Sequence, residues 1–179
     1  MDRMAETEVR VAHNARSNAK AGRGIAPVEA MRGRGIPVGI ATDGPMSGNT
    51  LDLFSQFGPV SMFQKLLGHS RKPMPARDAV RMGTIEAAKV LGMEAEIGSL
   101  EPGKQADLIR VSLSDPRLHP VWDPYATLVF AAMPSDVTDV MCAGRWLLRN
   151  REALTLEQPR VMADARQVAA EFGAVVAEI

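Results

Sequence analysis

Apolar and polar positions alternate in short blocks along the first half of the chain. Asp2–Glu6 reads as the end of a helix, and Val9-Arg10-Val11-Ala12 as a short strand. The polar stretch His13–Asn18 then reads as a loop, which Gly22 and Gly24 keep irregular. Pro27 suits the first turn of a helix running to Met31 or Arg32, because it has no N–H to leave unpaired there. Gly35 ends that helix. Val38-Gly39-Ile40-Ala41 is the next strand, Asp43–Thr50 a loop, and Leu51–Leu67 a helix expected to break or shift near Gly58-Pro59. Strand, loop and helix repeated in this order predict parallel α/β structure.

The pattern changes after Pro73 and Pro75. Ala79, Val80, Gly83, Ala87, Val90 and Leu91 recur at steps of three and four, so Ala76–Leu91 is expected to be one helix closed by Gly92. Ile97–Leu100 and Ala106–Leu113 read as strands flanking Glu101-Pro102-Gly103-Lys104, where Pro then Gly predicts a type II turn. Leu128–Ala132 is an apolar helix or strand. Val137–Cys142 and Trp146–Arg149 are expected to pair across Ala143-Gly144-Arg145, with Cys142 as inert core. Pro159–Ile179 is an amphipathic helix. Its stripe of Val161, Ala165, Val168, Phe172, Val175 and Ile179 is expected to pack onto the body of the protein, with a subunit contact as the alternative.

Composition narrows the function classes. Lys+Arg and Asp+Glu are both 21, which argues against a nucleic-acid binder, and 46% hydrophobic residues permit a core. Only five Phe, two Trp and one Tyr are present, so aliphatic side chains and 11 Met must fill that core. The one cysteine excludes an intrachain disulfide and suits a reducing cytoplasm. The charged start Met1–Glu8 predicts no signal peptide, and no apolar run reaches the roughly 18 residues of a membrane span.

The chemistry concentrates at Thr42-Asp43-Gly44. An acid on a turn at the carboxyl end of a strand stands where barrel enzymes place their reactive groups. Such a carboxylate can bind a metal or exchange a proton with water, or it can simply cap an Asp-Gly turn. His13 either points into a site from its strand end or is a hydrogen-bonded structural histidine. Ser47 and Asn49 either line a pocket or cap the next helix. Ser17 and Asn18 are expected to fix their loop through side-chain to backbone bonds. His69 and His119 read as bystanders. Arg16, Arg23, Arg32 and Arg34 form a loose basic group that reads as a solvated face, with Arg16 reaching an anionic part of a substrate as the alternative.

Four motifs then converge. Val11-Ala12-His13-Asn14-Ala15-Arg16-Ser17-Asn18 with Gly24-Ile25-Ala26-Pro27 resembles the segment after barrel strand seven of the metal-dependent amidohydrolases. Ala41-Thr42-Asp43-Gly44 with Ser47-Gly48-Asn49-Thr50-Leu51-Asp52 resembles their strand-eight segment. Ile97–Leu108 is similar to the hairpin that leaves the barrel, and Val140–Trp146 to the closing hairpin of a small β-sandwich. The closest branch is that of aminohydrolases and chlorohydrolases acting on nitrogen heterocycles.

The resemblance implies an α/β fold: the last part of a TIM-like (β/α)8 barrel (strands seven and eight), the carboxyl-terminal half of a small β-sandwich, and a terminal helix. Its divisions are 1–92 (barrel part), 93–155 (sandwich segment) and 156–179 (terminal amphipathic helix). It implies hydrolysis of a C–N or C–Cl bond on a small heterocyclic substrate by water activated on one divalent metal, zinc or iron. Asp43 is by resemblance a metal ligand and the catalytic acid–base, with His13, Ser47 and Asn49 beside the substrate. Neither nucleic acid nor membrane is an expected partner.

The chain also departs from the family. Its histidines, His13, His69 and His119, include no His-x-His pair. The histidines of strands five and six and the neighbouring glutamate have no counterpart, and would lie upstream of Met1. Ala15 and Gly83 stand where the family usually has proline and alanine. With Asp43 as its one ligand, the chain is expected not to hold a catalytic metal tightly alone. A homo-oligomer or a complementing barrel fragment is a possible partner. The alternative function is a truncated, non-catalytic fragment or assembly module without metal.

Overall fold

A computed structural model describes residues 1–177. Helix α1 (Asp2–Ala5) leads to strand β1 (Val11–His13), and helices α2 (Ala15–Lys20) and α3 (Val28–Arg32) carry the chain to β2 (Val38–Ile40). The two strands are parallel, with Val11 opposite Val38 and His13 opposite Ile40. The expected loop over His13–Asn18 is therefore corrected: from Ala15 onward it is helical. Ala15 and Ser17 are buried there. That burial outweighs the preference of Ser and Asn for turns.

Helices α4 (Pro45–Gly48), α5 (Phe54–Leu67), α6 (Ala76–Met82) and α7 (Ile85–Leu91) follow. Contrary to expectation, α5 continues through Pro59. Proline removes one helical hydrogen bond, but the buried face of Gln56, Phe57, Val60, Ser61 and Gln64 locks the helix against the core. Ala76–Leu91 is two helices rather than one. A Cβ at Gly83 would lie 2.6 Å from the Phe57 ring, and the backbone turns there. The Thr84 hydroxyl donates to the carbonyl of Val80 at 2.9 Å. Gly92 closes α7 at φ +73, as the sequence predicts.

The core gathers Val28, Val38, Ile40, Phe57, Val60, Met74, Ala79 and Met82 from these elements, joined by Val129. Gly39 brings β2 against α7: a Cβ there would stand 2.8 Å from the Cα of Ala87.

The remaining strands, β3 (Leu108–Val111), β4 (Val137–Cys142), β5 (Arg145–Arg149) and β6 (Glu152–Ala153), form one antiparallel sheet in that order. The β4–β5 hairpin matches the expected pairing, whereas β6 has no sequence signal. Between β3 and β4 lie a 3₁₀ turn (Pro116–Leu118) and helix α8 (Pro124–Phe130). The Asp123 carboxylate caps α8 by accepting the Tyr125 N–H at 2.9 Å, which settles the segment as helix. The Glu101–Lys104 turn forms, with Gly103 at φ +93 and the Lys104 N–H donating to Glu101 at 3.2 Å.

Three expectations fail in this half. Ile97–Leu100 is not a strand: it lies on α7, where a Cβ at Gly98 would be 2.7 Å from that of Ala88, instead of joining a ladder. Cys142, the last residue of β4, is exposed rather than core. Helix α9 (Gln158–Ala177) forms, but Val161, Val168 and Phe172 are 47%, 63% and 69% exposed, so its stripe does not pack on the body. Ile179 and the side chain of Val175 lie outside the described residues. Among the described residues, no helix is long and apolar enough to cross a membrane.

Candidate functional site

The chain leaves β2 through Ala41 and Thr42 and turns at Asp43, whose φ is +64. This left-handed backbone is one that Asp tolerates better than most residues. Helix α4 follows at once and ends on Asn49 at φ +59. Gly48 allows the loop to fold this tightly, since a Cβ there would stand 2.3 Å from the carbonyl oxygen of Thr42.

Asp43 is exposed, and both its oxygens are engaged. The Ser17 hydroxyl donates to Oδ2 at 2.5 Å, and the Gly44 N–H donates to Oδ1 at 2.8 Å. Ser17, with help from Ser47, the Gly44 N–H and the charge of Arg23, pulls the Asp43 carboxyl down to about 2. The group is thus an anion across the physiological range. It suits the holding of a cation and, unaided, is a weak proton acceptor at neutral pH.

Ser47, Asn18, Ala21 and Arg23 complete a cavity of about 210 Å³ around Asp43 and Ser17. The Ser47 hydroxyl also donates to the carbonyl of Gly44 at 3.3 Å. Asn49 is tied to the scaffold: its Oδ1 accepts from Lys20, and its amide lies 3.5 Å from the carbonyl of Pro45. His13 does not line this cavity. It is 4% exposed at the end of β1, its carbonyl accepts the Ala41 N–H at 3.0 Å, and its buried Nε2 has no hydrogen-bond partner. Burial pushes the His13 imidazole down from its ordinary value.

The loose basic group dissolves in three dimensions. Arg32 pairs with Glu29 and Asp78, and Arg34 with Asp2. Arg23, not Arg16, reaches the Asp43 cavity. Sequence reasoning missed the contacts of Ser17 and Lys20 with the Asp43 loop. Reading Ala15–Lys20 as a helix would have put the two on one face, but not shown what that face meets. His69 and His119 are exposed, as expected of bystanders.

Among the described residues, no three His, Cys, Asp or Glu side chains stand together to hold a metal ion. A catalytic zinc normally takes three protein ligands. The donor set present, Asp43 alone, does not fit such an ion unaided.

Residues 1–147 match the amidohydrolase family. The chain belongs to that family. It is similar to a 5-methylthioadenosine/S-adenosylhomocysteine deaminase of Teredinibacter turnerae, with 37% identity over 96% of this chain and 39% of the relative. It also resembles the zinc-bound crystal structure of an adenosine deaminase from Xanthomonas campestris. The TM-score is 0.92 and the identity 34%, over 96% of this chain and 39% of that one. An atrazine chlorohydrolase from Arthrobacter aurescens, complexed with zinc, superposes with a TM-score of 0.84 at 25% identity, covering 91% and 36% of the two chains. This amidohydrolase chain therefore spans about two fifths of the length of the relatives it matches.

Proposed function

We propose that this amidohydrolase chain is the carboxyl-terminal part of a hydrolase that removes an amine from a nitrogen heterocycle, with an adenosine derivative as the first substrate class to test. In this reading β1 and β2 are strands seven and eight of a (β/α)8 barrel. The antiparallel sheet is part of the accompanying β-sandwich. One observation carries the proposal: an exposed carboxylate, Asp43, held through both oxygens at the carboxyl end of a parallel strand. The names of the deaminase relatives support the substrate class.

The reaction adds water to the ring carbon that bears the amine. One water proton passes to the neighbouring ring nitrogen and the other to the departing amine, so the C–N bond breaks, a carbonyl forms and ammonia leaves. Asp43 is the group proposed to hold the second of these protons between water and the amine. Ser47, at the cavity wall, is proposed to face the substrate. The chain's own contribution to a divalent metal, zinc or iron, is a single carboxylate donor. The other donors belong to polypeptide beyond these residues. The same single-donor geometry favours the second reading, an assembly module without catalysis.

Complementation separates the two. The chain is co-expressed with the first three fifths of the Teredinibacter turnerae deaminase, and deamination of 5′-methylthioadenosine and zinc content are measured. Stoichiometric zinc and activity in the complex, abolished by Asp43→Asn, are expected. An inert complex overturns catalysis, and an active, zinc-loaded chain without its complement overturns the fragment reading.

A further inference from the structure

Asp43 has a carboxylate in open solvent on a short loop, and such a group turns freely unless something stops it. Aspartate χ2 is broad. The bond to Oδ1 comes from the next residue, Gly44, and moves with the loop. The bond to Oδ2 comes from elsewhere: Ser17 stands on α2, 26 residues away in sequence.

That helix is anchored. Ala15 is buried as a member of the core cluster, and the Arg16 N–H reaches the side-chain oxygen of the buried Gln56 at 3.3 Å. Ser17 itself is 8% exposed, so its hydroxyl has little freedom. One turn on, Lys20 donates to the carbonyl of Ser47 at 2.9 Å and to Asn49. One face of α2 thus grips the Asp43–Asn49 loop at both ends.

We propose that Ser17 is a positioning residue that holds the Asp43 side chain in a single rotamer, with Lys20 fixing the far end of the same loop. The proposal rests on the reading of Asp43 as the site acid. Its physical content is specific. An ionised carboxylate offers about four lone-pair directions. Ser17 takes one on Oδ2 and Gly44 one on Oδ1, with Ser47 beside them, and what is left of the carboxylate borders the cavity. An acid that passes a proton to and from a substrate needs its open side held in one direction. Gly44 alone fixes one oxygen; Ser17 turns that point into an orientation.

The test uses the chain labelled with ¹³C and ¹⁵N. Three-bond couplings from the backbone N and carbonyl carbon of Asp43 to its Cγ report χ1. A single rotamer is expected in the unmodified chain, averaged couplings in Ser17→Ala, and a single rotamer again in Ser17→Thr, which keeps the hydroxyl. Lys20→Met is expected to leave the Asp43 couplings unchanged. In the complemented enzyme, Ser17→Ala should lower kcat by roughly 10- to 100-fold, with KM little altered and most of the loss recovered by Ser17→Thr.

A single rotamer in Ser17→Ala, or averaging in Ser17→Thr as well as Ser17→Ala, overturns the proposal. Failure of the underlying reading looks different. In that case Asp43→Asn leaves activity intact, whatever the couplings show.

Discussion

Gly48 sits against the carbonyl oxygen of Thr42, 2.3 Å from where a Cβ would be, and so presses α4 onto the end of β2. The contact is with backbone, which cannot swing aside as a side chain would. Gly48→Ala should therefore push the Asp43 loop outward and destabilise the chain by about 1–3 kcal/mol. Thermal melts give the stability, and amide shifts of Asp43 and Gly44 give the displacement. An unchanged melt with unchanged shifts would contradict this packing.

The pH dependence of Asp43 has a definite sign. Its folded-state carboxyl lies near 2 and its ordinary value near 3.8, so folding favours the ionised form. The stability this contributes is present above the ordinary value and is lost as pH falls towards 2. Carbon-detected titration of the Asp43 Cγ should place its midpoint well below those of unpaired aspartates. In Ser17→Ala the midpoint should rise, because the largest cause of the depression is removed.

Gln64 is a buried brace between helices. It is 2% exposed, donates to the carbonyl of Ala26 at 2.9 Å, and accepts the Glu29 N–H at 3.3 Å. Gln64→Leu keeps most of the volume but takes away the acceptor of the Glu29 N–H, while the Ala26 carbonyl keeps the Val28 N–H at 2.9 Å. A loss of about 1–3 kcal/mol is expected, measured by urea unfolding.

Helix α9 predicts a small effect where its sequence suggests a large one. Phe172 lies on the apolar stripe but is 69% exposed. Phe172→Glu should change the stability of the chain by no more than about 0.5 kcal/mol. A larger loss in the isolated monomer would mean that α9 docks on the body after all. A fall in sedimentation coefficient without a loss in stability would mark a contact with another molecule.

Zinc titrated into the isolated chain should bind weakly and without defined stoichiometry, since Asp43 is a lone donor. Calorimetry of the chain and of Asp43→Asn checks this. A tight, stoichiometric site lost in Asp43→Asn would mean that the chain assembles donors not seen together here.

Local signals were legible in the sequence because they depend on a few consecutive residues. The apolar run before Asp43, the Pro-Gly turn at Gly103, the hairpin across Gly144 and the stripe of α9 all formed where their spacing places them. The motifs around His13 and Asp43 also carried the family, which residues 1–147 match. What surrounds each element was not legible. The Ala76–Leu91 segment divides at Gly83, where the Phe57 ring occupies the place of a Cβ, and the spacing of its apolar residues runs through that point unbroken. Ile97–Leu100 has a strand's composition yet lies on α7.

The sequence by itself determined that an acid would stand on a turn at a strand's end and that an amphipathic helix would close the chain. Both follow from periodicity and turn chemistry. Only the tertiary structure decided that Ser17 would hold that acid, that His13 would be buried away from its cavity, and that the stripe of α9 would face outward. Such contacts depend on how the core sets one helix against another, which no local pattern encodes.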